Sequence, residues 1–207
     1  MPVLYYIHDP MCSWCWGYRP VWLELKAALP IEVRVENVLG GLAPDNDQPM
    51  PGELRHTIQG HWRNIHARLG TKFNFDFWTL CVPRRDTYKA CRAVVVAARQ
   101  NLEEEMIHAI QQGYYLRAMN PSDPDTLVRL AGEIGMDMPD FSSALVSEKT
   151  ETEFMRQLQL RRALGVRSFP SLVVKLQHET FHISLDYRSH HVSVHEIRSL
   201  LQNSERV

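Results

Sequence analysis

The chain has 207 residues, 44% hydrophobic and 23% charged, with a formal net charge of −1. That composition fits one large globular domain, or one domain carrying an insertion. The near-zero charge gives no electrostatic bias toward nucleic acid or a membrane, and no apolar run reaches the roughly 18 residues of a membrane span.

The first element, Val3 to Ile7, is apolar throughout and predicts a central strand buried on both faces. No basic stretch followed by a long apolar one opens the chain, so a cytoplasmic location is expected. Four cysteines are too few for a disulfide scaffold. In a reducing compartment a Cys-x-x-Cys pair reads as catalytic or metal-binding.

Cys12-Ser13-Trp14-Cys15 follows that strand directly. A helical pattern begins at Cys12 and continues to Leu29, with Cys15, Tyr18, Trp22, Leu25 and Leu29 on one face. Pro20 lies inside it and predicts a kink near Trp16. Cys12 thus stands in a helix's first turn, where free N–H groups and the dipole stabilise an anion. A thiolate is such an anion, and it is cysteine's reactive form. Cys15, one turn on, is within bonding reach. Two core residues one turn apart would share this spacing. Zinc would want two further ligands at short spacing. Cys81 and Cys91 form no second Cys-x-x-Cys, and His190 and His191 are adjacent, so no metal is expected. Cys81 and Cys91 read as packing residues.

Pro30 ends the helix, and Ile31 to Val38 alternates in the manner of a sheet-edge strand. Gly40-Gly41 closes this first βαβ half. From about Pro49 to Ser147 the pattern is mostly helical. Ile58, Trp62, Ile65 and Leu69 form one stripe, stopped by Gly70. Phe73, Phe75 and Phe77 alternate as an extended segment. Asp86 is placed to cap a helix holding Cys91, Val94, Val95 and Ala98. Further helices are expected over Leu102 to Ala118, after Asp123-Pro124, and after Asp140. The α/β pattern then resumes with a helix over Thr152 to Leu164, a strand over Leu172 to Leu176, and a partner strand around Phe181, Ile183 and Leu185. Ser193-Val194-His195-Glu196 reads as a capping box opening the last helix.

A strand, a Cys-x-x-Cys helix and a second strand, a helical insertion, then αββα with a proline before the third strand, together resemble the thioredoxin fold, over essentially the whole chain. Cys12-Ser13-Trp14-Cys15 at the strand–helix junction, Pro20 five residues after Cys15, the Phe169-Pro170 step, and the opening Asp9-Pro10-Met11-Cys12 carry the likeness. It is to the DsbA-like branch, cytoplasmic type, including FrnE-type oxidoreductases and predicted protein-disulfide isomerases. Gly40-Gly41 and the Asp86-Thr87-Tyr88 helix start agree with it. Hydroxychromene-carboxylate isomerases and kappa-class glutathione transferases are more distant kin.

The resemblance implies an α/β thioredoxin fold, a four-stranded mixed sheet with flanking helices. Residues 1–48 and 149–207 would form it, and 49–148 would be an all-helical insertion domain. Cys12 would attack and Cys15 resolve. Pro170 would be cis, and Phe169, Pro170, Ser13 and Trp14 would position the substrate. The dipeptide Ser13-Trp14 lacks the histidine found there in periplasmic DsbA, so that protein's very low thiol pKa does not carry over. Asp9 caps the active-site turn or serves as a proton relay, with His8 beside it. Arg161, Arg162 and Arg167 either favour acidic substrates or glutathione, or form a solvated face. The expected activity is thiol–disulfide exchange on thiol- or disulfide-containing proteins or peptides. No bound cofactor is expected, and glutathione or a thioredoxin-type donor is the redox partner. No nucleic acid and no membrane partner is implied. A glutathione-dependent isomerase or transferase, and a non-catalytic peptide-binding module, are the alternatives.

Overall fold

The computed structural model describes residues 1–204. Strand β1 (Val3–His8) is buried along its whole length because it has neighbours on both edges and helices on both faces. Parallel β2 (Arg34–Leu39) lies on one side and antiparallel β3 (Ser171–Leu176) on the other, and β4 (Glu179–Ile183) completes the order β2-β1-β3-β4. This is the mixed sheet that the resemblance implied. β2 starts later than the alternation from Ile31 predicts. Arg34 already pairs with Val3, the first residue of β1, so residues 31–33 have no strand to join. They turn instead, Val33 donating to the Pro30 carbonyl at 3.0 Å. The β3–β4 turn contains no glycine, and Gln177 takes a left-handed φ of 52° to close it.

Helix α1 (Ser13–Ala28) runs through Pro20, with Cys15, Tyr18, Trp22 and Leu25 buried. It packs on the Leu4–Tyr6 face of the sheet together with α9 (His191–Ser204). α9 begins before the expected capping box. Ser193 Oγ donates to the Ser184 carbonyl at 2.7 Å, and Glu196 Oε2 accepts from the Ser184 N–H at 2.7 Å. Both side chains therefore tie the helix to the chain leaving β4.

The stretch between β2 and β3 holds α2 (Gly52–Leu69), α3 (Phe77–Leu80), α4 (Tyr88–Ala98), α5 (Glu103–Leu116), α6 (Pro124–Glu133), α7 (Met138–Leu145) and α8 (Glu148–Ala163). Phe77 opens α3 rather than continuing an extended run, while Phe73 and Phe75 pack against Trp62. Trp62 is fully buried and also meets Trp78 and Tyr115 at ring distances of 5.0 and 5.4 Å. Such rings supply large apolar area with fixed geometry. The helix cap expected of Asp86 is not formed, because Thr87 takes the N-cap position and the Asp86 carboxylate pairs with Lys89. α7 starts at Met138, before Asp140, because Asp137 caps it by accepting from the Asp140 N–H at 2.9 Å. α8 starts at Glu148, because Ser147 caps it and accepts from Thr150 N–H at 3.3 Å.

α8 faces two ways. Phe154 and Leu158 pack with the helical block, whereas Leu160 and the C-cap residue Leu164 cover the Val3–Tyr5–Ile7 face of the sheet. Its Gln157 Oε1 accepts from the Leu39 N–H at 2.7 Å. Gly17 lets α2 approach α1, since a Cβ there would lie 3.0 Å from Ile65 and 3.1 Å from Leu69. No described helix is long and apolar enough to cross a membrane.

Candidate active site

The end of β1 runs into α1 through a tight turn in which the Cys12 N–H donates to the Asp9 carbonyl at 3.0 Å. Cys12 is the N-cap of α1, one position ahead of the expected first turn, and its carbonyl accepts from Trp16 at 3.0 Å. The first-turn N–H groups therefore face its side chain. The Cys15 thiol donates to the Cys12 sulfur and the Cys15 and Trp14 N–H groups point at it, holding the Cys12 pKa below the ordinary thiol range despite burial and the nearby Asp9 charge. Burial, and then the Cys12 sulfur, push Cys15 well up. One sulfur is thus prepared to ionise while its neighbour keeps its proton.

Cys12 is only 7% exposed, against 0% for Cys15. Access comes through a cavity of about 360 Å³ lined by Met11, Cys12, Ser13, Trp14, Arg85 and Phe169, among others. Arg84 and Arg167 also reach it, as do Trp62, Asp86 and Thr87. Arg84 pairs with Asp123. Among the described residues Arg85 and Arg167 have no carboxylate partner within salt-bridge distance. Trp62 Nε1 and Asp86 Oδ1 are buried without a hydrogen-bond partner.

Across from Cys12 lies the Phe169-Pro170 step, whose peptide bond is cis. Cys12 Sγ is 3.6 Å from the Phe169 carbonyl oxygen. Gly40 makes room for the Phe169 ring, because a Cβ at Gly40 would sit 2.4 Å from two ring carbons. Arg161 donates to the Gly40 carbonyl at 2.9 Å and lies over the Phe169 ring at 5.9 Å. It braces the loop, while Arg162 is exposed and Arg167 lines the cavity. Trp14 meets Tyr187 edge-on at 5.2 Å, and the Arg68 guanidinium covers it at 5.7 Å. Trp16 faces the helical block, stacked on Tyr115 at 5.7 Å.

Asp9 is fully buried and accepts four bonds. Met11 N–H donates to Oδ1 at 2.8 Å, and Leu42 N–H and Thr87 Oγ1 donate to Oδ2 at 2.7 Å each. The Cys91 thiol is 3.6 Å from Oδ2. Burial raises the Asp9 pKa and these donors oppose the rise. The carboxylate therefore ties the active-site turn to the Gly41-Leu42 loop and to the start of α4. Neither active-site thiol is among its four donors, so a relay through it would first require one of them to leave. His8 is also fully buried, stacked on Tyr6 at 5.0 Å, and burial lowers its pKa to about 4. All four cysteines are free. Burial raises the pKa of both Cys91 and Cys81.

The sequence reading did not single out Leu42, Arg84, Arg85, Tyr187 or the Thr87–Cys91 pair on Asp9. The Asp86-Thr87-Tyr88 helix start was the one local signal pointing to that pair.

A Nitrosomonas europaea crystal structure provisionally assigned as a protein disulfide isomerase is 29% identical and matches with a TM-score of 0.84, covering 98% of each chain. The cytosolic disulfide reductase DsbM of Pseudomonas aeruginosa, solved also with GSH, shares the fold at 23% identity and a TM-score of 0.74, covering 99% of this chain and 98% of that one. The ClpXP adapter protein SpxH of Halalkalibacterium halodurans is 21% identical over 82% of this chain, and the chain spans only 57% of that curated relative's length. The family model for the DSBA-like thioredoxin domain matches residues 5–187, the sheet, the insertion and the Cys12–Cys15 turn together, and the chain belongs to that family.

Proposed function

We propose that the chain is a thiol–disulfide oxidoreductase acting through Cys12 and Cys15. The observation that carries this is the placement of two free cysteines one turn apart at a helix N-terminus, Cys12 Sγ lying 3.6 Å from the Phe169 carbonyl oxygen. The Cys12 thiolate attacks one sulfur of a substrate disulfide. A Cys12–substrate bond forms, and the other substrate sulfur leaves as a thiolate. Cys15 then gives up its proton and attacks Cys12 Sγ. The mixed disulfide breaks, the second substrate thiolate departs, and the substrate has gained two electrons while Cys12–Cys15 is oxidised. Two external thiols restore the dithiol.

The Phe169 carbonyl beside Cys12 suits a substrate backbone added as an extra strand, held by main-chain contacts without a sequence requirement. Phe169, Pro170, Ser13 and Trp14 are the positioning residues in this reading. Asp9 acts by holding the turn and by its charge. Glutathione is the proposed small-thiol donor. The cavity beside Cys12 offers Arg85 and Arg167 to its carboxylates, and Asp86 to its amino group. A reducing, cytoplasmic setting belongs to the same proposal. Donors on the Cys12 thiolate stabilise the dithiol and so move the couple toward the oxidising end of the roughly −270 to −120 mV range.

The test is insulin reduction and refolding of a scrambled disulfide substrate by wild type, Cys12→Ser and Cys15→Ser. Cys12→Ser is expected to be inactive. Equal activity in all three would overturn the dithiol mechanism. Glutathione-dependent isomerisation of a chromene-type substrate that survives Cys15→Ser would assign the chain to the isomerase–transferase alternative. The potential of the pair in glutathione buffers then gives the direction of flow.

A further inference from the structure

The site extends past Trp14 on the side away from the Arg85 cavity. Phe169, Pro170, Leu185, Trp14, Arg68, Leu69 and Tyr187 line a second hollow of about 350 Å³. Arg68, Leu69 and Tyr187 also line a third, of about 760 Å³, between α1 and the chain that follows α2. The two hollows adjoin at these shared walls, the nearer at the cis-proline loop, and together make a grooved surface.

The charge along this groove is one-sided. Arg19, Arg68, Lys72 and Arg188 line its far part, and Glu24 is its one carboxylate. Glu24 already faces His190 Nδ1 at 3.1 Å. Among the described residues none of the four cations has a carboxylate within salt-bridge distance. Arg19 is half-buried, and burial lowers its pKa even though Glu104 acts from a distance in its favour. An unpaired, partly desolvated cation gains most from an incoming anion. The scaffold is held in place: Trp16 Nε1 donates to the Lys72 carbonyl at 3.1 Å.

The walls between the cations are aliphatic, from Pro20, Val21, Leu23 and Leu116. Each aromatic ring nearby is already tied to neighbouring rings, Trp16 stacked on Tyr115, and Tyr187 edge-on to Trp14 and Tyr18. Single-stranded nucleic acid needs free stacking platforms as well as cations. A polypeptide needs only main-chain room, apolar contact and charge complementarity.

We propose that this groove seats an acidic stretch of the polypeptide whose disulfide Cys12 attacks, carboxylates near the substrate cysteine meeting Arg19, Arg68, Lys72 and Arg188. This rests on the thiol–disulfide reading above. The groove then selects among substrates, while the exchange chemistry stays indifferent to sequence.

The experiment compares peptides with the same disulfide flanked by aspartates, serines or lysines. Wild type is set against the triple variant Arg19→Gln, Lys72→Gln, Arg188→Gln, with Arg68 kept because it covers Trp14. Wild type is expected to prefer the aspartate peptide over the lysine peptide by about tenfold in kcat/KM, with the preference shrinking as salt rises. The triple variant, with only Arg68 left of the four, should lose most of the preference and keep the serine-peptide rate. Equal wild-type rates on all peptides, or a preference undiminished by the triple substitution, would overturn the groove and leave the exchange reading standing. The proposal also falls if a single-stranded oligonucleotide binds wild type but not the triple variant while the aspartate peptide shows no such difference. Absence of turnover on every peptide would bring down the exchange reading and this inference with it.

Discussion

Replacing Asp9 by Asn keeps the shape of the side chain and removes its charge. The carboxylate now accepts from Met11, Leu42, Thr87 and Cys91, filling the capacity of two oxygens. An amide has one acceptor oxygen and brings two donors of its own. Its best orientation keeps Leu42, Thr87 and Cys91 on the oxygen and sets the NH2 group against the Met11 N–H. The Met11 N–H and the new NH2 group then lack acceptors, at about 1–3 kcal/mol for each group, so a loss of about 2–6 kcal/mol is expected. With a urea slope of about 2–3 kcal/mol/M for a chain of this size, the midpoint should fall by about 1–3 M. The Cys12 ionisation separates an electrostatic role from a merely structural one. The Asp9 charge raises the Cys12 pKa, so its removal should lower it. A turn that only loosened would send it up, toward an ordinary thiol. The pH dependence of iodoacetamide alkylation reads the sign. A rise, or an unmoved urea midpoint, would refute this account of Asp9.

Gly40→Ala drives a Cβ into the Phe169 ring, and forced overpacking of about 1–3 kcal/mol should lower Tm by about 2–12 °C, at roughly 2–4 °C per kcal/mol for a chain this long, and slow disulfide reduction. Normal melting and normal kinetics would show that the ring yields freely. His8 ionises at about 4 when folded and at 6.5 ordinarily, so its contribution is complete above pH 6.5 and is lost as pH falls toward 4. From pH 7 to pH 4.5 that is about 2–3 kcal/mol, and urea midpoints of His8→Phe should lack this part of the decline. Cys15→Ser should accumulate a covalent Cys12–substrate adduct, seen by non-reducing electrophoresis and released by dithiothreitol. If no adduct forms, Cys15 is not the resolving sulfur.

Much of the fold was legible because its signals are local. The apolar run of β1, the Cys12–Cys15 spacing, the Trp62 stripe ending at Gly70 and the Phe169-Pro170 step each reflect one element and its immediate neighbours. The misplacements have a common origin. Ile31 alternates properly yet has no strand to pair with, and Asp86 is a good capping residue drawn instead to Lys89. Ser193 and Glu196 carry a capping pattern but are used by Ser184, across the chain. In every case a contact outside the local pattern, or the lack of one, decided what propensity left open, even where, as with Lys89, the partner is only three residues away. The surroundings of Asp9 were hidden for the same reason, since Thr87 and Cys91 are 78 and 82 residues away. The basic groove joins α1, the end of α2 and the segment before α9, which no window of sequence displays together.

One helix sets how the molecule comes apart. The division expected near residue 148 coincides with the start of α8, whose two sides are committed to different neighbours. Peeling the insertion away would strip Phe154 and Leu158 of their contacts, and melting the sheet would strip Leu160 and Leu164. Neither half has an independent way out, so heat should produce a single calorimetric peak. Amide protons of α4, α8 and β1 should exchange with deuterium at one common, slowest rate.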